Sequence, residues 1–301
     1  MAARERAKEH MANAEKALKP SWTSLKFSPD HLMASMEYAQ AAADFRAASL
    51  PAECADAWVK SGQMKELLHD LFGAGRAYES AATISDTIGQ ESVIRHLEKA
   101  IQCFRLAGKA DIAAKLLLKM AGIREKQSDF EGAKSAYEDT INVFEQEEKD
   151  YELGDVYKTY IGYLIRREAL EDALKAMDGH ISVLQRQKSL PFVYKELLSK
   201  MVLLVKMEDN VRAEELLTST DIDGWVMSKE YQVGTELFEA IKNYDAEALI
   251  GLQKDQIFTF LQVEVARIAK QLKVAAMAVP KASGGYAAEK PQPVDIADLI
   301  Q

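Results

Sequence analysis

Cysteine is scarce in this chain of 301 residues. Only Cys54 and Cys103 occur, both in helical-looking sequence, so no disulfide framework is expected and a reducing, cytoplasmic setting fits. No apolar run approaches the roughly 20 residues of a membrane span. The opening MAARERAKEHMANAEKALK is charged throughout and lacks the apolar stretch of a secretion signal, so any work at a membrane is expected from the aqueous side. Alternating strand patterns are hard to find. Nucleotide loops of the G-x-x-x-x-G-K-[ST] or G-x-G-x-x-G kind are missing. His10, His31, His69, His96 and His180 are scattered, with neither H-E-x-x-H nor Cys/His ligand spacing, so no metal or cofactor is expected. Carboxylates are abundant everywhere, and no pair stands out for acid–base work. These absences point away from an enzyme and toward a binding protein. A net charge of −9 argues against nucleic acid as the partner.

What is present is ordinary globular material, 48% hydrophobic and 28% charged, which excludes wholesale disorder. It is arranged with a period. Apolar residues recur forty apart: Val93, Ala133 and Ala173; Leu97, Tyr137 and Met177; Ile101, Ile141 and Ile181; Phe104, Phe144 and Leu184. Within each segment they fall at i, i+4, i+8 and i+11, one face of a helix. A second set runs in another phase through Ala34/Ala74/Ala114, Tyr38/Tyr78/Leu118 and Ala41/Ala81/Ala121, continuing one residue out of step around Tyr157. Two phases half a period apart mean two helices per repeat, each of about 18 residues and some 27 Å long. "FRAASLPAECADAWVK" from Phe45 resembles "FRLAGKADIAAKLLLK" from Phe104, fifty-nine residues on, so first and second helices share a pattern. Small residues beside a large aromatic, as in Ala41-Ala42-x-x-Phe45, let helices approach closely.

The expected fold is therefore all-α: a right-handed superhelical array of tetratricopeptide-like hairpins over residues 1–207, capped by a C-terminal helical bundle at 208–275 that covers the last apolar face. Residues 276–301, rich in Pro, Gly and small side chains, read as a flexible tail. One break is unusual. KPSWTSLKFSPD, between Pro20 and Pro29, carries Trp22, Leu25 and Phe27 in a turn-rich stretch where large apolar side chains gain nothing from water.

Charge is unevenly placed. From Ile94 to Ser128 stand Arg95, Lys99, Arg105, Lys109, Lys115, Lys119, Arg124 and Lys126 against Glu98, Asp111 and Glu125, a local excess of positive charge. Lys115 and Lys119, four apart, share a helix face. Such a stripe suits an acidic partner, although solvated faces of mixed sign are common.

"LKFSPDHLMASMEYAQAAADF" resembles the soluble NSF attachment proteins, most closely the gamma type, through Leu25, Lys26, Phe27, Pro29, Asp30, Ala34, Ser35, Glu37, Tyr38, Ala41, Ala42 and Phe45. "GKADIAAK" at 108–115 and "DGWVMSKEY" follow in the family's order. The resemblance implies a sheet of helical hairpins with a C-terminal bundle. It also implies a non-enzymatic adaptor that coats a four-helix SNARE complex and recruits the hexameric AAA ATPase N-ethylmaleimide-sensitive factor for SNARE disassembly. By position, Lys109, Lys115 and Lys158, with Lys119 on the same stripe, would grip SNAREs. Trp22, Leu25 and Phe27 match a membrane-contacting loop, placing the protein peripherally on endomembranes. Asp221, Asp223, Glu230 and Leu299 match residues that engage the ATPase. The alternative is a general tetratricopeptide-type peptide receptor or chaperone cofactor. Its carboxylate clamp needs paired Asn and basic residues, and Asn13, Asn142, Asn210 and Asn243 are not suitably clustered.

Overall fold

The computed structural model of the chain describes residues 2–19 and 28–274; Trp22, Leu25, Phe27 and the tail 276–301 lie outside them. Every regular element among the described residues is helical. The first hairpins are formed by α1 (Ala2–Leu18), α2 (His31–Ala47), α3 (Pro51–Leu67) and α4 (Leu71–Ser85). The array continues through α5 (Gln90–Leu106), α6 (Ala110–Lys126), α7 (Phe130–Gln146), α8 (Asp150–Arg166), α9 (Leu170–Arg186) and α10 (Leu190–Lys206). Shorter helices follow: α11 (Asn210–Thr218), α12 (Lys229–Lys242), α13 (Ala246–Leu252) and α14 (Val263–Gln271), with 3-10 turns at Trp225–Met227 and Gln256–Phe260.

Nine of the first ten helices have 17 residues, α4 alone having 15. At 1.5 Å per residue each is about 25 Å long. From α5 to α10 successive helices begin twenty residues apart, so the forty-residue period is two helices with their connectors.

The connectors explain the regularity. After each cap residue the chain turns left-handed, at Ser49, His69, Gly108, Ser128, Glu148, Glu168, Lys188 and Glu208, all with φ between 53° and 66°. That turn lets two backbone N–H groups reach back into the helix just ended. Leu50 N bonds Phe45 O and Ser49 N bonds Arg46 O, both at 3.0 Å, the paired closure of a Schellman motif. The same pair recurs at Lys109→Phe104 with Gly108→Arg105, at Asp129→Arg124 with Ser128→Glu125, and at Ala169→Leu164 with Glu168→Ile165. The orphan carbonyls of one helix are thus satisfied within three residues, and the next helix starts at once. Asp30, Asp70, Asp129 and Asp209 then accept from the exposed N–H groups of the following helix.

All twelve positions of the first forty-residue series are buried, at 8% exposure or less. The second set needs a correction. The connector after α4 is irregular, and α5 begins nineteen rather than twenty residues after α4. The eighth residues of α2, α4, α6 and α8 are therefore Tyr38, Tyr78, Leu117 and Tyr157, all buried, whereas Leu118 is only half-buried. Tyr157 is in step, and Leu118 is the residue displaced. The fifty-nine-residue echo has the same origin, being three helix-plus-connector units less one residue.

Through α9 the principal contacts are with chain neighbours; α12 and α14 then fold back onto α10, and α14 also reaches α8. One continuous core runs from Ala74 to Leu272, with smaller, alanine-rich clusters of Ala7, Ala41, Ala42, Phe45 and Ala14, Ala17, Ala34, Tyr38 in the first helices.

A left-handed residue with a Cβ costs about 1–2 kcal/mol, and glycine costs about 0.5–1 kcal/mol in backbone entropy. Glu168→Gly and Lys188→Gly should therefore each raise the unfolding free energy by about 0.5–1 kcal/mol in urea titration. Gly108→Ala, whose Cβ would meet nothing within 4 Å, should lower it by about 1 kcal/mol.

Candidate functional site

Helix α6 buries Ala113, Ala114, Leu116, Leu117, Met120 and Ala121 against its neighbours. That leaves Lys115, Lys119, Gly122 and Lys126 outward, spaced 4, 3 and 4 along one stripe. A Cβ on Gly122 would meet nothing within 4 Å, so the stripe is open along its length. Lys126 continues it by the same spacing, a signal legible in the sequence but not taken up as a site residue. Lys109 is exposed at the N-cap of α6. At 100° per residue it sits about 120° around the axis from Lys115, beside the stripe rather than on it.

Pairing separates the eight basic residues of this region. Arg105 meets Asp139 at 3.5 Å, and Arg124 meets Glu98 at 3.2 Å and Asp129 at 3.0 Å, so these charges are locally answered. Lys109, Lys115, Lys119 and Lys126 make no ion pair among the described residues. Arg95 and Lys99 on α5 are likewise exposed without an ion pair among the described residues, so the free charge of the segment lies partly on α5 and, as a longer row, on the exposed side of α6.

Lys158 stands apart. It is exposed on α8, 3.4 Å from Asp155 Oδ1 one turn earlier, and its backbone carbonyl accepts from Gln262 Nε2 of the C-terminal piece. The stripe of α8 in register with Lys115, Lys119, Gly122 and Lys126 is Asp155, Thr159, Gly162 and Arg166. There the C-terminal piece lies over Gly162, whose Cβ would meet Gln262 Nε2 at 2.8 Å. Arg166 contacts Glu264 on one side and Glu125 Oε2, at 3.5 Å, on the other. The lysine stripe therefore begins where the coverage by α14 stops.

Asp221, Asp223 and Glu230 come together around the Trp225–Met227 turn and make no ion pair among the described residues. Leu299 and the Trp22–Phe27 segment lie outside the described residues. Directly after that segment, Leu32, Met33 and Met36 on α2 are 60%, 48% and 61% exposed. The two carboxylates of that helix turn inward instead: Glu37 to His10 at 2.7 Å and Asp44 to Arg6 at 3.1 Å.

The histidines do not gather. His96 Nδ1 lies 3.0 Å from Ser85 Oγ, and buried His180 faces Glu196 Oε1 at 3.1 Å. Among the described residues no three His, Cys, Asp or Glu side chains form a metal-holding group. No helix among them is long and apolar enough to cross a membrane.

A sequence model described as "Soluble NSF attachment protein, SNAP" matches residues 5–264. The chain belongs to this family. Among curated relatives, the gamma-soluble NSF attachment protein of Dictyostelium discoideum is 22% identical over 251 residues, 83% of this chain and 77% of that protein. The gamma-soluble NSF attachment protein of Arabidopsis thaliana is 23% identical over 264 residues, covering 87% of this chain and 90% of its own. The matched span takes in the whole hairpin array with the lysine stripe and the acidic turn.

The two cysteines of this family member are buried, and burial raises both thiols above their ordinary value. For Cys103, burial and the adjacent Glu66 carboxylate push it up to about 12. Burial and Glu145 likewise push the Tyr157 phenol up to about 12. Both groups stay neutral in the fold, while in the unfolded chain they ionise from 9.0 and 10.0. Their stabilising contribution is intact below those values and is lost as pH rises toward 12. Native protein at pH 8 should leave Cys103 unalkylated by iodoacetamide, with full labelling after denaturation. Unfolding free energy should fall between pH 9 and 12, less steeply in Tyr157→Phe.

Proposed function

We propose that this protein is a non-enzymatic adaptor that lays the cationic face of α6 against the acidic outside of a four-helix SNARE bundle and recruits an NSF-type AAA ATPase to it. The observation that carries this reading is the row of unpaired lysines on one open helix face, in a chain of net charge −9 that belongs to the attachment-protein family. Charge complementarity of this kind steers encounter and fixes register, and it weakens as salt screens it. In the proposed assembly the stripe of Lys115, Lys119 and Lys126 makes the main contact. Lys109 contacts from the flank and Lys158 from the next even helix. The bundle at 208–275 serves the ATPase side through Asp221, Asp223, Glu230 and the Leu299 ending. The protein acts from the cytoplasmic face of endomembranes, without spanning them.

Lys115→Glu/Lys119→Glu should abolish co-precipitation of a SNARE complex while far-ultraviolet circular dichroism stays unchanged. Lys109→Glu/Lys115→Glu should be comparably defective, and wild-type binding should decline steeply with added salt. Unaltered binding in both double variants removes the stripe from the mechanism.

For the membrane, the proposed contact is the Trp22, Leu25 and Phe27 segment, continued by exposed Leu32, Met33 and Met36 of α2. Trp and Phe partition to the headgroup level, and Lys19 and Lys26 suit anionic lipid. A Trp22→Ser/Phe27→Ser variant should lose flotation with liposomes containing phosphatidylserine. Flotation equal to wild type assigns these side chains to the protein's own packing.

A further inference from the structure

The turn between α11 and α12 exposes apolar side chains in a way the core does not require. Met227 is 95% exposed and Val226 63%, side by side, whereas the preceding Trp225 is 1% exposed. The chain buries one large side chain to hold two others out.

The turn is also fixed at both ends. Tyr194 of α10 donates its hydroxyl to the Asp223 carbonyl at 2.7 Å. Gly224, at φ 71°, passes so close that a Cβ there would lie 2.5 Å from that hydroxyl. Trp225 packs against Tyr194, centroids 6.1 Å apart, and edge-on against Tyr231 at 5.4 Å. Ser228 donates to the Trp225 carbonyl at 2.6 Å and accepts from Tyr231 N at 3.0 Å, closing the turn onto the start of α12. A tip held this way loses little conformational freedom when it docks.

Its surroundings are acidic. Asp221, Asp223 and Glu230 have no ionic partner among the described residues, and Lys229, the chain neighbour of Glu230, is occupied by Asp255 at 3.1 Å. An apolar centre with a charged rim is the layout of a protein-binding hot spot. Methionine, unbranched and polarizable, fills irregular pockets well.

We propose that Val226 and Met227 form the apolar anchor of the acidic turn, inserting into a hydrophobic pocket rimmed by Lys or Arg on the recruited ATPase. This rests on the adaptor reading and adds to it: acids alone would give a salt-sensitive encounter, and the knob supplies the part of the affinity that salt does not remove.

The test measures binding of an NSF-type ATPase hexamer, held in ATPγS, to the full-length protein assembled on a SNARE complex, at low and at high salt. Val226→Ser/Met227→Ser should weaken binding about tenfold or more at both salt concentrations. Met227→Leu, which keeps the apolar volume, should bind like wild type. Asp221→Lys/Asp223→Lys/Glu230→Lys should lose most of its binding at low salt, where the rim acts. Because both knob residues face solvent, circular dichroism and melting temperature should not move. Wild-type binding by the serine variant, with loss in the lysine variant, overturns the anchor and leaves the adaptor reading standing. Wild-type binding by both variants overturns the anchor and the acidic turn as the ATPase contact together.

Discussion

The three-residue connector with one left-handed residue is the constraint on which the rest of this structure depends. It closes the carbonyl end of one helix and opens the N–H end of the next within a single turn. No slack remains for a helix to slide along its neighbour. Because connector and helix together have a fixed length, equivalent side chains arrive at equivalent heights in every layer. Seven of the eight array connectors hold residues other than glycine in that conformation. The backbone strain is small per site and is outweighed by the packing that each turn sets up.

A second regularity rests on that registration. Tyr78, Tyr137 and Tyr157 occupy the eighth positions of α4, α7 and α8, and each donates its hydroxyl to a glutamate twelve residues earlier: Glu66, Glu125 and Glu145. Those glutamates all sit one residue before the end of the preceding helix. A phenol buried in the core is thereby satisfied by a carboxylate that stays near water at the rim. Where the eighth position is Leu97, Leu117, Met177 or Leu197, the position before the preceding helix end carries no glutamate. From α4 to α10 the pairing travels as a unit, since a buried hydroxyl without its acceptor would be costly; Tyr38 of α2, with Ala17 at the corresponding position, is the exception.

Much of this architecture was legible in the sequence because hairpin arrays write the same apolar face repeatedly, and twelve positions agreeing at one spacing leave little room for chance. What escaped was local. Helix α4 is two residues short and the connector after it one residue long, which together shift every later even helix by one residue. Ala114 and Ala121 hid the shift, since a small residue beside the true core position is also buried. Charge pairing was illegible for another reason. Arg124 and Glu98 lie twenty-six residues apart and Arg105 and Asp139 thirty-four, distances bridged only by the folding of the array, between α5 and α6 in the first pair and α5 and α7 in the second. Composition could count eight cations between Ile94 and Ser128 but could not tell the answered from the free.

That distinction bears on why the lysine face is on α6 and not on α8, although the two helices present the same register outward. On α8 the equivalent positions carry Asp155, Thr159 and Gly162, and the third is pressed by Gln262 and Glu264. A lysine at the Gly162 position would lie beneath the C-terminal piece, where desolvation penalises it unless it finds a partner. The one cation of that row is Arg166, at the edge, and it has two carboxylates to satisfy it. On α6, the even helix before α8, the lysine positions are exposed among the described residues, and unpaired lysines cost little because water solvates them. The boundary between covered and uncovered even helices thus sets where free positive charge can accumulate. Folding the C-terminal helices back over α8 and α10 leaves α6 as the neighbouring even helix that can carry an exposed lysine row, so the same packing that closes the core also decides which face stays open to solvent.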